Sequence, residues 1–242
     1  MENAFKKVIA DSKLQPDALL EAPITNKTFV FVIAIRTRGA GAAAQRMRTY
    51  STDIDDAFSA RIWEATRATS AAPTFFEPIT ISGVKYGDGG TGWNNPTAEA
   101  IAEAHRKWPG RRIGCLLSLG TGLEEANQLS DGNDELSFSR SLVQKLAPKA
   151  SFQLEVAKYC VASLTSCEKI HRDVSEKFPD QIFINGNYFR FNVPQGMTKI
   201  GLEEWEKIGD IISLTEDYME HPGILGQKKK VAGVLLNPQL AS

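Results

Sequence analysis

The sequence predicts an α/β layered domain with a largely parallel sheet over residues 1–125, followed over residues 126–242 by a mainly helical extension. Three observations lead there. Residues 28–35 (TFVFVIAI) and 113–119 are apolar runs of strand length. Helical periodicity separates them, so the order reads strand, helix, strand, helix, strand, which favours strands layered against helices. The polar, turn-like stretch 123–134 then marks a boundary before a different pattern begins.

Each element has its own signature. Residues 2–11 place Phe5, Val8 and Ile9 on one helical face. The run Thr28 to Ile35 is continuous rather than alternating, the pattern of a strand buried on both sides. A short strand near Arg46 to Tyr50 follows. Residues 56–69 carry Phe58, Ile62, Ala65 and Thr69 at helical spacing, and Pro73 stops that helix. Ile79 to Tyr86 alternates around Gly83, as in a hairpin or bent strand. Asn94 or Asn95 can cap a helix that holds Pro96 and Glu99 in its first turn and ends at Pro109-Gly110. In the extension, helical patterns cover 135–147, 150–177 and about 201–220. Ile182 to Ile184 and Tyr188 to Phe191 flank Asn185-Gly186, which predicts a β-hairpin near 182–191 with a type I′ turn.

Composition excludes several functions. The net charge of −1 gives no bulk attraction for nucleic acid or for an anionic membrane. Three cysteines, Cys115, Cys160 and Cys167, are odd in number and lack paired CxxC spacing, so a disulfide framework and a structural zinc site are both disfavoured. Buried free thiols in a reducing, cytoplasmic setting are the expectation. No apolar run approaches the length needed to span a bilayer, which leaves peripheral contact as the only membrane association expected. No cofactor and no metal is expected.

The segment Tyr86-Gly87-Asp88-Gly89-Gly90-Thr91-Gly92-Trp93-Asn94-Asn95-Pro96 carries the chemistry. A carboxylate stands at the end of a strand, among glycines, just before a capped helix. Active-site groups collect at such strand ends in α/β sheets, and glycine lets neighbouring backbone approach closely. The plainer account of the segment is an Asp-Gly turn that only reverses the chain.

The flanking residues shift the balance. IWEATRATSAAPTFF (62–76), YGDGGTGWNNP (86–96) and LLSLGTG (116–122) occur in order and at sensible spacing. Together they resemble the helix and loop, the DGG motif and the next strand of patatin-like phospholipases. YFRFNVPQGM (188–197) and GLEEWEKIGDI (201–211) are similar to the C-terminal part of fungal members. The resemblance implies a three-layer α/β/α fold with its N-terminal strands missing here. It also implies a Ser-Asp dyad in which serine, on a G-x-S-x-G elbow, attacks an acyl ester. Asp88 then inherits the role of general base, and Gly89 and Gly90 inherit the turn that presents it. Neither a G-x-S-x-G elbow nor a glycine-rich oxyanion loop occurs in the sequence. The expectation is therefore a partial lipid acyl hydrolase domain that keeps the base and lacks the nucleophile. Its partners would be a lipid or acyl-ester substrate, with an N-terminal half or related subunit supplying the rest. The alternative is a non-catalytic remnant or regulatory module that binds lipid or protein.

Other residues invite weaker readings. His105, His171 and His221 lie scattered on helical stretches or their ends, where packing is the commoner role. Ser70 and Ser118 lack elbow glycines. Gly39-x-Gly41-x-x-Ala44 follows an apolar strand as a dinucleotide fingerprint would, but no second strand leads into Asp53, Asp55 or Asp56. Lys228-Lys229-Lys230 can meet acidic headgroups or simply be solvated. Trp93, close to Asp88, is a candidate for the mouth of an acyl-chain pocket.

Overall fold

A computed structural model describes residues 1–21, 28–37, 44–73, 75–123, 167–177, 183–197, 200–201 and 204–237. The chain divides into two compact units, one formed by Met1–Pro96 with Glu135–Cys167 and the other by Thr97–Asp134 with Glu168–Ser242. The expected boundary at 123–134 falls almost wholly outside the described residues, as do the helical patterns at 135–147 and at 150–166.

The first unit is a mixed α/β structure, consistent with the α/β class expected. Helix α1 (Glu2–Asp11) leads to strands β1 (Phe31–Arg36) and β2 (Ala44–Arg48), helix α2 (Ile62–Thr69), strands β3 (Ile79–Ile81) and β4 (Val84–Asp88), and the short helix α3 (Gly90–Trp93). The four strands form one sheet in the order β2-β1-β4-β3. Every pairing within it is antiparallel: Ile33 faces Arg46, Ala34 faces Asp88, and Thr80 faces Lys85. The expected largely parallel arrangement is therefore corrected for this sheet. The apolar run 28–35 is not sealed on both sides: Phe29 and Val30 are 37% and 48% exposed, and only Ile33 and Ala34 are buried. An antiparallel sheet tolerates one wetter face, and a local hairpin connects its strands without a crossover.

Below the sheet, Ala34, Met47, Ala65, Ala68, Ile81 and Tyr86 form the core, with Phe58 and Leu20 packed against it. Phe58 meets Tyr86 edge-on, with ring centroids 5.8 Å apart, a geometry that adds to simple burial. That contact explains why the helix expected over 56–69 begins only at Ile62. The Phe58 amide donates to Arg48 O at 3.2 Å and the Ile62 amide to Ala18 O at 3.0 Å, so residues 57–61 are not helical. The helix then starts where Glu64 Oε2 accepts from the Arg61 amide at 2.7 Å. Helix α1 packs on α2 through Lys6, which pairs with Asp17 at 3.0 Å and lies 4.8 Å from the centre of the Trp63 ring. The hairpin expected around Gly83 is present, with Ser82 and Gly83 at φ of 48° and 81°.

The second unit contains helix α4 (Thr97–Lys107), strand β5 (Leu116–Leu119), a helix over 167–177 (α5), strand β6 (Tyr188–Phe191), and helices α6 (Ile208–Glu220) and α7 (Pro222–Leu236). Its core joins Ile101, Val174 and Phe183, flanked by Ile113, Leu116, Ile170 and Tyr188. The expected hairpin near 182–191 is corrected. Ile184–Gly186 forms one 3-10 turn, and β6 pairs in parallel with β5, Leu116 opposite Tyr188 and Leu119 opposite Phe191. Gly186 does adopt the left-handed conformation, φ 64°, that the Asn-Gly signal promises. Phe183, however, already bridges in parallel to Ile113, so the turn only offsets the strand. Helix α6 starts later than the pattern at 201–220 suggests, and the sequence pattern did not foretell α7. Pro222 in its first turn marks that helix's start, and the His221 ring accepts from the Gly223 amide at 3.3 Å.

Candidate functional site

The candidate site lies in the first unit, at the C-terminal end of β4. Asp88 is the last residue of that strand, paired with fully buried Ala34 on β1, and is itself half-buried. Its Oδ1 accepts from the Gly90 amide at 2.7 Å. Its own amide donates to Ala71 O at 3.3 Å. The backbone of the next turn therefore fixes the carboxylate on one side, and the loop after α2 fixes the strand end on the other.

Glycine at 89 is dictated by space. A Cβ there would lie 2.7 Å from the Ile33 carbonyl carbon and closer still to its oxygen. That oxygen is already committed, because Thr69 Oγ1 donates to it at 2.6 Å. The end of α2, the middle of β1 and the turn after Asp88 thus converge on one carbonyl. The segment 62–76 and the DGG motif, which the sequence pairs only by order, meet here in space.

Asp88 opens on an apolar cleft of ≈ 400 Å³. Ile35, Pro73, Phe75, Phe76 and Pro78 supply its apolar walls, and Thr37, Glu77, Gly87 and Asp88 also line it. Phe76 is held from behind by Arg67, whose guanidinium lies 5.8 Å from the ring centre and donates to the Glu77 carbonyl. A mostly apolar cleft with a few polar groups in its lining suits a substrate with a hydrophobic chain and a polar reacting end.

The remaining candidates fall elsewhere. Trp93 is half-buried on α3, which packs against β1, and among the described residues it is not part of the cleft wall. Ser70 ends α2. The glycine loop at 38–43 lies outside the described residues, but on its far side the chain enters antiparallel β2 at Ala44. A dinucleotide fingerprint needs a helix at that place, so the cofactor reading has no support here. Among the described residues no group of His, Cys, Asp and Glu is placed to hold a metal. Cys115 and Cys167 are unbridged and half-buried rather than buried, and burial pushes the Cys115 thiol up.

In the second unit, sequence reasoning missed a polar cluster between β5 and β6. Buried Ser118 accepts from Thr97 Oγ1 at 3.0 Å and from Arg190 Nη1 at 2.9 Å. Arg190 also pairs with Glu168 at 3.1 Å. The Tyr188 hydroxyl meets His171 Nδ1 at 2.9 Å. Burial raises the Tyr188 phenol and lowers the His171 imidazole; near His171 the Glu168 carboxylate opposes that lowering and the Arg190 guanidinium adds to it. Ser118 is thus a buried junction whose hydroxyl is engaged by two donors. The alternation of polar Ser118 and Arg190 with apolar neighbours was the available signal, and it became readable only once the strands were known to pair.

Comparison with known proteins adds a second line of observation. The family model for patatin-like phospholipases matches residues 1–101. Calcium-independent phospholipase A2-gamma of Mus musculus is 32% identical over 177 residues, 72% of this chain and 20% of that protein. The Homo sapiens protein of the same name is 33% identical over 144 residues, 60% of this chain and 16% of that protein. Phospholipase A I of Arabidopsis thaliana is 28% identical over 144 residues, 60% of this chain and 10% of that protein. The chain thus spans about a fifth or less of these relatives. No solved structure matches it.

Proposed function

Through residues 1–101 the chain belongs to the patatin-like phospholipase family, and from that premise we propose that its first unit is the base-bearing part of a lipid acyl hydrolase. Asp88 is the general base. The observation that carries the reading is its placement: a carboxylate held by the Gly90 amide at the end of β4 and opening on an apolar cleft of ≈ 400 Å³.

The chemistry is that of the family's Ser-Asp dyad. A serine hydroxyl attacks the carbonyl carbon of a lipid acyl ester, and its proton passes to the Asp88 carboxylate. When the tetrahedral adduct collapses, the ester C–O bond breaks and Asp88 returns that proton to the departing alkoxide. Water then attacks the acyl-enzyme, giving its proton to Asp88, and serine leaves with it, releasing a fatty acid. Asp88 acts in both halves, so its orientation matters throughout, and the Gly90 amide helps to set it. The cleft beside it takes the acyl chain. Lipid substrates are what the relatives' names indicate, and peripheral contact with a membrane is the natural setting for such a substrate.

The serine must come from outside the motifs of these 242 residues, which contain no G-x-S-x-G. That same fact favours the second reading, a non-catalytic module that retains the cleft for binding. Labelling of the 242-residue chain with a fluorophosphonate tests whether the nucleophile lies outside it. On the present reading neither the parent nor Asp88→Asn reacts. An adduct on the parent that disappears in Asp88→Asn would instead locate the nucleophile within this chain, and peptide mapping would name it.

A further inference from the structure

We propose that the exposed face of α7 docks on an anionic lipid surface. Helix α7, PGILGQKKKVAGVLL, contains three lysines and no acidic residue. The preceding helix α6 carries Asp210, Glu216, Asp217 and Glu220. The two successive helices therefore differ in charge, α6 acidic and α7 basic.

The exposure pattern gives that charge a direction. Leu225, Lys229, Ala232 and Leu236 recur at i, i+4, i+7 and i+11, which puts them on one stripe of the helix. All four are exposed, Leu225 at 40% and Leu236 at 79%. Lys230 is also exposed. One flank of the stripe faces the fold: Val231 is buried, and Lys228 Nζ donates to Met219 O at 3.3 Å. Lys228 is thus engaged at the end of α6, leaving Lys229 and Lys230 facing solvent.

Leucines interleaved with lysines suit the boundary between acyl chains and headgroups. A lysine can lay its methylenes along apolar neighbours while its ammonium reaches the phosphates, and apolar burial and headgroup attraction then act together. No described helix is long and apolar enough to cross a membrane, so α7 would lie on the surface. A second copy of the chain could cover the leucines too, but it would leave the alternation with lysine unexplained. The proposal stands on α7 alone. Its failure would leave the assignment of Asp88 intact, and the converse holds.

Vesicle flotation of the intact chain tests it, with pure phosphatidylcholine and with phosphatidylcholine mixed with phosphatidylserine. The chain should float with the mixed vesicles at low salt and be released by high salt. The double variant Lys229→Gln/Lys230→Gln should bind them about 25-fold more weakly, about fivefold per lysine. Leu225→Ser/Leu236→Ser should also weaken binding. Circular dichroism checks that both variants keep the parent's helix content. Equal binding to neutral and mixed vesicles, or an unchanged lysine variant, would overturn the proposal. So would a parent dimer that the leucine variant splits into monomers without loss of vesicle binding.

Discussion

At the end of β4 a carboxylate is oriented by backbone groups and opens on an apolar cleft; between β5 and β6 a serine and an arginine are oriented by other side chains and enclosed. The two arrangements use similar materials. Each sits on paired strands, each is followed by glycines, and each brings a charged side chain out of bulk water. The difference is what surrounds the polar group. Asp88 is held by the Gly90 amide and faces space for a ligand. Ser118 is engaged by Thr97 and Arg190, and Arg190 in turn by Glu168. On the proposed reading Asp88 serves chemistry because it borders the cleft, whereas Ser118 spends its bonding capacity inside the fold.

Substitution of the glycines after each strand probes this contrast most strongly. At position 89 a Cβ runs into the Ile33 backbone, which cannot turn away. Gly89→Ala should therefore destabilise the first unit by about 3 kcal/mol, the upper part of the range for overpacking, read as a lower urea midpoint at unchanged slope. At position 120 the obstacle is the Asn192 side chain, with its Cγ 2.5 Å from the added carbon. That side chain can rotate, at the cost of its 2.7 Å bond from the Gly122 amide. Gly120→Ala should cost about 1.5 kcal/mol in the same experiment. Equal losses would mean that the two turns are equally rigid.

Smaller effects sharpen the account of the second unit. Tyr188→Phe deletes the hydroxyl that meets His171 and keeps the ring stacked on Phe183 at 5.9 Å. The loss should be about 1 kcal/mol. The smallest effect is a pH dependence. Burial holds the His171 imidazole below its ordinary value, so the unfolded chain takes up that proton first. Stability should fall as pH drops through about 6.5 and level off once the folded form is protonated too. His171→Gln should flatten that part of a melting-temperature profile, while the parent slopes downward toward acid.

How much of this was legible depended on whether the signal was local. The hairpin around Gly83, the position of Asp88 at a strand end and the stop before Pro109 are all set by residues a few places apart, and each was readable. Strand pairing was not. The run at 28–35 looked sealed because nearly every residue in it is apolar, yet apolarity does not say which strand lies alongside or in which direction. Asn185-Gly186 gave the left-handed residue it promised but not the reversal, because Phe183 was already committed to Ile113 across the chain. Helix α7 was overlooked because three glycines and a lysine triplet blur its periodicity. The convergence of Thr69, Ile33 and Gly89 was invisible for the same reason as the pairing: it joins three segments distant in sequence.

The role of Asp88 is tested most directly by transplantation. Residues 62–96 would replace the aligned segment of calcium-independent phospholipase A2-gamma of Mus musculus, to which this chain is 32% identical over 177 residues. Phospholipid hydrolysis by the chimera would then be compared with that of the chimera carrying Asp88→Asn. The account predicts an active chimera whose kcat falls about 10³-fold on that substitution, the scale of a lost general base, at unchanged thermal stability. An Asp88→Asn chimera that turns over as fast as its parent would contradict it.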